Sequence, residues 1–430
     1  MKFVSTRGAA PPMGLSAAIA AGLAPDGGLY VPVELPKLGL GDFDDCESLP
    51  EVAMKLLAPF FDGDALGDDL PAICAEAFAF AAPLHPLKTP GDFVLELFHG
   101  PTAAFKDFGA RFLVACLRRI PRESAQDLTI LVATSGDTGA AVAAAFHEVP
   151  GFRVVILYPD GRVSPRQAHQ LGCFGGNVRA LCVAGTFDDC QAMVKHALGD
   201  PTLRATMPLS SANSISLGRL LPQMAYHAHA ALRHQRQQDT LLNFVVPTGN
   251  LGNALACMLA RACGLPIGQI ALATNANQTL HDFFAGAAFT PRASVATLAN
   301  AMDVGNPSNF ERLQWLYPGE AHLRREFALD AIGDDAIKAT IRERFRTHAE
   351  TLCPHTATAM RTLEALRQEG AHGDWAVVAT AHPAKFDAIV EPLIGQKVPV
   401  PPALAALLAR PSSAEPLAAS YAAFCNHLQR

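Results

Sequence analysis

The chain has 430 residues, half of them hydrophobic, with 17% charged residues and a formal net charge of −6. That is enough apolar content for a large core spread over two or three domains. No basic run or basic–aromatic stripe occurs, which argues against nucleic acid as a partner. The start Met1-Lys2-Phe3-Val4-Ser5-Thr6-Arg7 lacks the apolar region of a signal peptide, and the alanine-rich stretches are too short and too interrupted to cross a membrane.

Residues 1–90 are rich in Pro and Gly and carry an acidic stretch, Gly41-Asp42-Phe43-Asp44-Asp45. Apolar periodicity predicts helices over 52–61 and 71–81. Pro83, Pro86 and Pro90 then break the chain and mark a boundary. Beyond it the pattern becomes strand, loop, helix. Leu95-Glu96-Leu97 runs through Phe98-His99-Gly100-Pro101-Thr102 into a helix whose first turn holds Lys106, between Phe105 and Phe108. Partial desolvation there disfavours the ammonium form and makes a nucleophilic amine available. Taken alone, the lysine also reads as one that snorkels from a helix end.

A buried strand over 128–133 leads into Thr134-Ser135-Gly136-Asp137-Thr138-Gly139 and a helix over 140–149. The next strand covers 153–158. A strand over 243–247 leads into Thr248-Gly249-Asn250-Leu251-Gly252-Asn253 and a helix to Cys263, followed by a strand over 270–273. A strand over 375–379 leads into Thr380-Ala381-His382-Pro383-Ala384-Lys385 and a helix. Continuous apolar strands alternating with helices indicate parallel sheets covered on both faces, an α/β fold that binds ligands at the carboxyl ends of its strands. The last 30 residues, with Pro399, Pro401, Pro402, Pro411 and Pro416, read as a tail over the body.

Each loop has a functional and a structural reading. Gly249 to Asn253 open a helix with flexible backbone, which suits a phosphate; they also read as an ordinary turn. The loop lacks the Gly-Lys-Ser/Thr of a Walker site and the dinucleotide fingerprint. Thr134, Ser135 and Thr138 offer hydroxyls for a carboxylate or for helix capping, and Asp137 among them needs a partner to tolerate an anion. Ser210-Ser211-Ala212-Asn213-Ser214-Ile215-Ser216-Leu217-Gly218-Arg219 reads either as a phosphate clamp or as a helix start with a solvated arginine. Asn300-Ala301-Met302-Asp303-Val304-Gly305-Asn306-Pro307-Ser308-Asn309 is a polar loop without periodicity. The ten cysteines form no Cys-x-x-Cys and lie within apolar patterns, so they read as reduced thiols of a cytoplasmic protein. The fifteen histidines show no metal-binding spacing, so no metal is expected.

These stretches together resemble the threonine synthases, fold type II enzymes dependent on pyridoxal 5'-phosphate and similar to the tryptophan synthase β chain. The likeness includes Asp26-Gly27-Gly28-Leu29-Tyr30, Glu96 to Gly109, Ala133 to Gly139, Ser211-Ala212-Asn213-Ser214, Asn300 to Val304, and Thr380 to Phe386. It is to the short branch of bacteria and fungi, without a regulatory extension, so no activation by S-adenosylmethionine is implied. The implied architecture is two parallel-sheet domains plus an N-terminal domain. Residues 1–90 form the N-terminal domain, 91–127 with 225–430 the large cofactor domain and tail, and 128–224 the small domain.

The resemblance also implies roles. Lys106 would bond the cofactor and shuttle protons. Gly249, Asn250, Leu251, Gly252 and Asn253 would bind the cofactor phosphate, Asp137 would sit near the ring oxygen, and Thr380 would hydrogen-bond the pyridine nitrogen. Ser135 and Thr138, with Thr134, would hold the substrate carboxylate; Asn213, Ser214 and Arg219 would hold its phosphate. The cofactor loop departs from the family's usual Ser-Gly-Asn-Phe-Gly-Asp, and Asn253 removes a negative charge there. The implied activity is conversion of O-phospho-L-homoserine and water to L-threonine and phosphate. A phospholyase giving 2-oxobutyrate and a cofactor-binding protein without turnover remain alternatives. The sequence leaves monomer or homodimer open.

Overall fold

A computed structural model describes residues 1–121 and 126–429. Residues 122–125, inside the expected 91–127 segment, and residue 430 of the tail lie outside the described residues. Among the described residues thirteen strands follow one another. They are β1 (Phe3–Ser5), β2 (Tyr30–Pro32), β3 (Leu84–Pro86), β4 (Asp92–Glu96), β5 (Leu128–Ala133), β6 (Phe152–Pro159) and β7 (Val178–Ala184). The remainder are β8 (Leu209–Ser211), β9 (Leu242–Pro247), β10 (Ile267–Thr274), β11 (Ala328–Ala331), β12 (Asp374–Ala379) and β13 (Glu415–Ala418).

Two sheets organise the molecule, one ordered β11-β10-β9-β12-β4-β3 and the other β13-β7-β6-β5-β8. Every pairing in them is parallel except β3 against β4 at an edge. The apolar strands are shared between layers by their two-residue period. Ile130 and Val132 of β5 face the largest core cluster, whereas Leu131 and Ala133 face a separate cluster with Val194 and Phe424. Phe244 and Val246 of β9 belong to the large cluster and Val245 to a third, which includes Trp375 and Met360.

Two sheet memberships differ from the sequence-based division. β3 lies before residue 90 yet hydrogen-bonds into the six-stranded sheet, because its backbone covers the open edge of β4. The tail, expected with the larger body, instead adds β13 alongside β7 in the five-stranded sheet. Arg179 grips Glu415 with two hydrogen bonds of 2.9 Å, and Leu417, Phe424 and Leu428 complete that sheet's outer core.

The N-terminal helices Leu49–Phe61 and Leu70–Ala77 pack on the helix Lys106–Leu117. Phe61 meets Phe112 edge-on at 6.2 Å, and Phe78 lies 5.9 Å from Phe108. Among the described residues no helix is long and apolar enough to cross a membrane. The parallel strands β4, β5, β8, β9 and β12 each end in one of the polar loops.

Candidate active site

Lys106 is placed by a tight turn after β4. The Thr102 N–H and hydroxyl donate to the two oxygens of Asp107, at 2.9 and 2.7 Å. A Cβ on Gly100 would fall 2.5 Å from that carboxylate, so the turn closes only around glycine. Phe105 N–H donates to the Thr380 carbonyl at 2.9 Å, and His382 N–H to the Ala103 carbonyl at 3.0 Å. The turn is thereby stitched to the loop after β12. Asp107 is a buried clamp; burial pushes its carboxyl up to about 6 despite the Thr102 bonds. The Lys106 amine lies 5.5 Å from the Phe105 ring centre. Burial pulls it down to about 8, with Asp137 acting the other way.

The loop after β9 opens a helix against the cavity. Leu251 adopts φ +63°, a left-handed conformation that costs a non-glycine residue roughly 1–2 kcal/mol and turns the chain into the helix Gly252–Ala262. A Cβ on Gly249 would sit 2.7 Å from the Cα of Met302, which requires glycine there. The first-turn N–H groups have no intrahelical acceptor and lie at the positive end of the helix. Asn250 is committed to the scaffold: its amide donates to Ser214 Oγ and accepts from Ser308 N–H. Asn253 accepts from Tyr226 Oη at 2.8 Å and pairs with His227 at 2.9 Å. Its Nδ2 is buried without a partner among the described residues.

The loop after β5 divides its polar groups. Thr134 Oγ1 accepts from the N–H groups of Gly136 and Gly139, both at 3.0 Å, so this hydroxyl oxygen holds the turn together. Ser135 and Thr138 remain on the cavity wall. Asp137, the awkward acid of this loop, has a partner from the chain itself: Lys385 Nζ, 2.9 Å from its Oδ1. Gln167 Nε2 donates to the same oxygen at 2.9 Å. Burial pushes Asp137 up, but Lys385 and then Lys106 outweigh it and hold the carboxyl far below its usual range.

Arg219 is buried rather than solvated. Its Nη1 donates to the Ala212 carbonyl, which fixes the guanidinium beneath the Asn213-Ser214 turn. Arg219 Nε and Asn213 Oδ1 are buried without partners among the described residues, as expected for groups held ready for a ligand. Burial pulls the guanidinium down to about 10, which leaves it cationic at neutral pH.

One cavity is lined by all these residues together: Lys106, Thr134, Ser135, Asp137, Thr138, Asn213, Ser214, Arg219, the 249–253 loop and Thr380. The residues fit pyridoxal phosphate. Open N–H groups at a helix start suit its phosphate, a weakly basic lysine suits its aldehyde, and the Thr380 hydroxyl offers a neutral partner for a ring nitrogen.

Comparison with known proteins agrees with this geometry. Residues 83–384 match the family model described as "Pyridoxal-phosphate dependent enzyme". Residues 2–78 match "Threonine synthase N terminus" and 356–427 match "Threonine synthase, C-terminal". The chain belongs to the threonine synthase family. Threonine synthase of Serratia marcescens is 40% identical, covering 94% of this chain and 93% of its own. The crystal structure of threonine synthase from Escherichia coli superposes with a TM-score of 0.92 at 37% identity, covering 100% of this chain and 99% of that one. A pyridoxal-phosphate-bound threonine synthase from Brucella melitensis gives 0.89 at 35% identity, covering 100% and 99%. The fold is therefore that of fold type II enzymes, and the chain is a pyridoxal-phosphate-dependent lyase acting on a small molecule.

Within this threonine synthase fold, several residues on or behind the cavity wall carry no signal in the sequence. His355, near the start of the helix Pro354–Gln368, accepts the Ala301 N–H at Nε2, 3.1 Å away. Burial pushes it down to about 4, so it stays neutral. Gln167 ties Asp137 to Asn300, whose amide donates to it at 2.8 Å. Lys195 and Gln191 line the cavity from the helix Phe187–Gly199. Lys385 lies in a stretch singled out for Thr380, and its ion pair with a residue 248 positions away (385 − 137) is invisible in one dimension.

Proposed function

We propose that the chain converts O-phospho-L-homoserine and water into L-threonine and phosphate. The observation that carries this reading is a pair of adjoining clusters of anion-type donors, joined by the Asn250–Ser214 hydrogen bond, in the cavity that holds Lys106. One is the helix start at 249–253; the other is Asn213 and Ser214 over the buried Arg219. An enzyme acting on an unphosphorylated amino acid needs only the first, for the cofactor phosphate.

Pyridoxal phosphate, when bound, supplies the electron sink that makes the substrate α proton removable and the γ phosphate expellable. Lys106 Nζ takes the proton from Cα and later returns one to the same carbon, a task suited to an amine whose basicity burial has lowered. Ser135 and Thr138 orient the substrate carboxylate, with Thr134 holding their turn in shape. Asn213, Ser214 and Arg219 hold the substrate phosphate and stabilise charge as the Cγ–O bond breaks. Thr380 would hydrogen-bond the ring nitrogen through a neutral hydroxyl, and Asp137 would serve the ring oxygen; both line the cavity. The ten cysteines are free thiols and most are buried, which suits a reducing compartment, and we place the reaction in the cytoplasm.

Incubation of the purified protein, loaded with cofactor, with O-phospho-L-homoserine tests the reading. Threonine and phosphate are expected in equal amounts. Phosphate accompanied by 2-oxobutyrate and ammonia would make the chain a phospholyase, and a cofactor band without any product would make it a binding protein.

A further inference from the structure

Asp137 is clamped through one oxygen only. Oδ1 receives both Lys385 Nζ and Gln167 Nε2, each at 2.9 Å. Oδ2 has no hydrogen-bond partner among the described residues, and Asp137 lines the cavity. Lys385 is completely buried, and its ammonium also donates to the Thr102 carbonyl at 2.7 Å. That carbonyl belongs to the turn that presents Lys106, so the pair joins the loop after β5 to the loops after β4 and β12.

Burial is the main cause that makes the Lys106 amine weakly basic, and the charges around it tune that state. A buried carboxylate standing alone beside an amine holds it as ammonium, which cannot attack an aldehyde. Here Asp137 favours the ammonium form of Lys106, whereas Arg219 and Lys385 disfavour it. Asp107 is spent on Thr102, and His355 is neutral with its Nε2 occupied by Ala301 N–H. Lys385 is thus the only ammonium bonded directly to Asp137 among the described residues.

We propose that Lys385 is a positioning residue of this site: it fixes Asp137 as a carboxylate with Oδ2 free for the cavity, and it offsets that charge at Lys106 so that the amine is available. The inference rests on Lys106 being the amine that takes the cofactor. Lys385 touches neither cofactor nor substrate and acts through Asp137.

The test is the rate constant for capture of pyridoxal phosphate by the apoprotein, followed as a function of pH through the visible band of the lysine-bound cofactor. Lys385→Met removes a cation and should move the midpoint of that profile upward by about one pH unit or more. Asp137→Asn removes the anion and should move it downward. The double variant Lys385→Met with Asp137→Asn removes both and should return it to within about half a unit of the unsubstituted protein. An unchanged midpoint in folded Lys385→Met overturns the proposal. If Lys385→Met alone does not fold, the double variant decides, since it leaves no buried charge unpaired. A folded double variant with a near-normal midpoint supports the proposal, and one that does not fold means that Lys385 serves packing alone and overturns it. Borohydride reduction of the unsubstituted protein and peptide mapping separate this outcome from failure of the underlying reading. Label away from Lys106 would remove that reading itself.

Discussion

At the scale of single residues, the site works by keeping charged groups buried and incompletely satisfied. Lys106 illustrates the cost. Its amine is pulled down to about 8 by burial, below the 10.5 of a free lysine. Below pH 8 the folded apoprotein must hold a buried ammonium and is destabilised. Between about 8 and 10.5 only the unfolded chain stays protonated, so stability rises with pH. Lys106→Met should therefore stabilise the apoprotein by on the order of 2 kcal/mol at pH 7, with the gain shrinking toward pH 10. Denaturant titrations at the two pH values measure it. Arg219 makes a second case, because its Nε is buried without a partner and one of its other N–H groups is used on Ala212. Arg219→Ala should lower kcat/KM for O-phosphohomoserine by roughly 30- to 1000-fold, the equivalent of about 2–4 kcal/mol. Slow deamination of L-serine, which has no phosphate, should fall much less. Equal losses on both substrates would place Arg219 in the fold rather than in the phosphate clamp.

At the scale of elements, parallel strands deliver their loops to one place, and the loops then hold each other. Asp303 shows how. It accepts Thr297 N–H and hydroxyl at 3.1 and 2.7 Å and Asn275 Nδ2 at 2.8 Å, which pins the 300–309 loop. That loop carries Met302 against Gly249 and Ser308 against Asn250. Asp303→Ala removes the acceptor of the Thr297 N–H and hydroxyl, at about 1–3 kcal/mol in stability. It should also weaken cofactor affinity, although residue 303 itself does not line the cavity. Melting temperature and a cofactor titration read the two effects separately, and unchanged cofactor affinity would disconnect the loop from the phosphate cradle.

This mutual support also explains what was legible in the sequence. The strands 128–133, 243–247 and 375–379 stand out because both of their faces are buried, so each is an almost wholly apolar run, broken only by Thr129 and Asn243. The loops behind them stand out because glycine and hydroxyl residues interrupt that run. Lys106 is visible through its setting between phenylalanines. Lys385 and Gln167 are not, because a buried ion pair has no local pattern; each residue alone looks like part of a helix start. Arg219 reads as solvated by residue type, and only the structure buries it.

At the scale of the whole molecule, the chain's two ends close over the sheets. The N-terminal helices share one continuous core with the helix of Lys106, and the C-terminal strand β13 completes the five-stranded sheet. Proline density makes that tail look like loop, because a short edge strand has too few residues for a period to emerge. Phe424, completely buried beneath this sheet, should be as costly to truncate as a central residue. Phe424→Ala is expected to lose about 3–5 kcal/mol in a denaturant titration. A loss below about 1 kcal/mol would mean that the tail merely rests on the surface.

The proposed reaction eliminates phosphate from one carbon and then adds water to the neighbouring carbon, both in this one cavity. Turnover of O-phospho-L-homoserine in water enriched in oxygen-18, with both products weighed by mass spectrometry, tests that most directly. Threonine should carry one heavy oxygen in its hydroxyl group, and the phosphate released at the outset should carry none, because the C–O bond breaks rather than the P–O bond. Homoserine together with heavy phosphate would show hydrolysis of the ester at phosphorus and contradict the account.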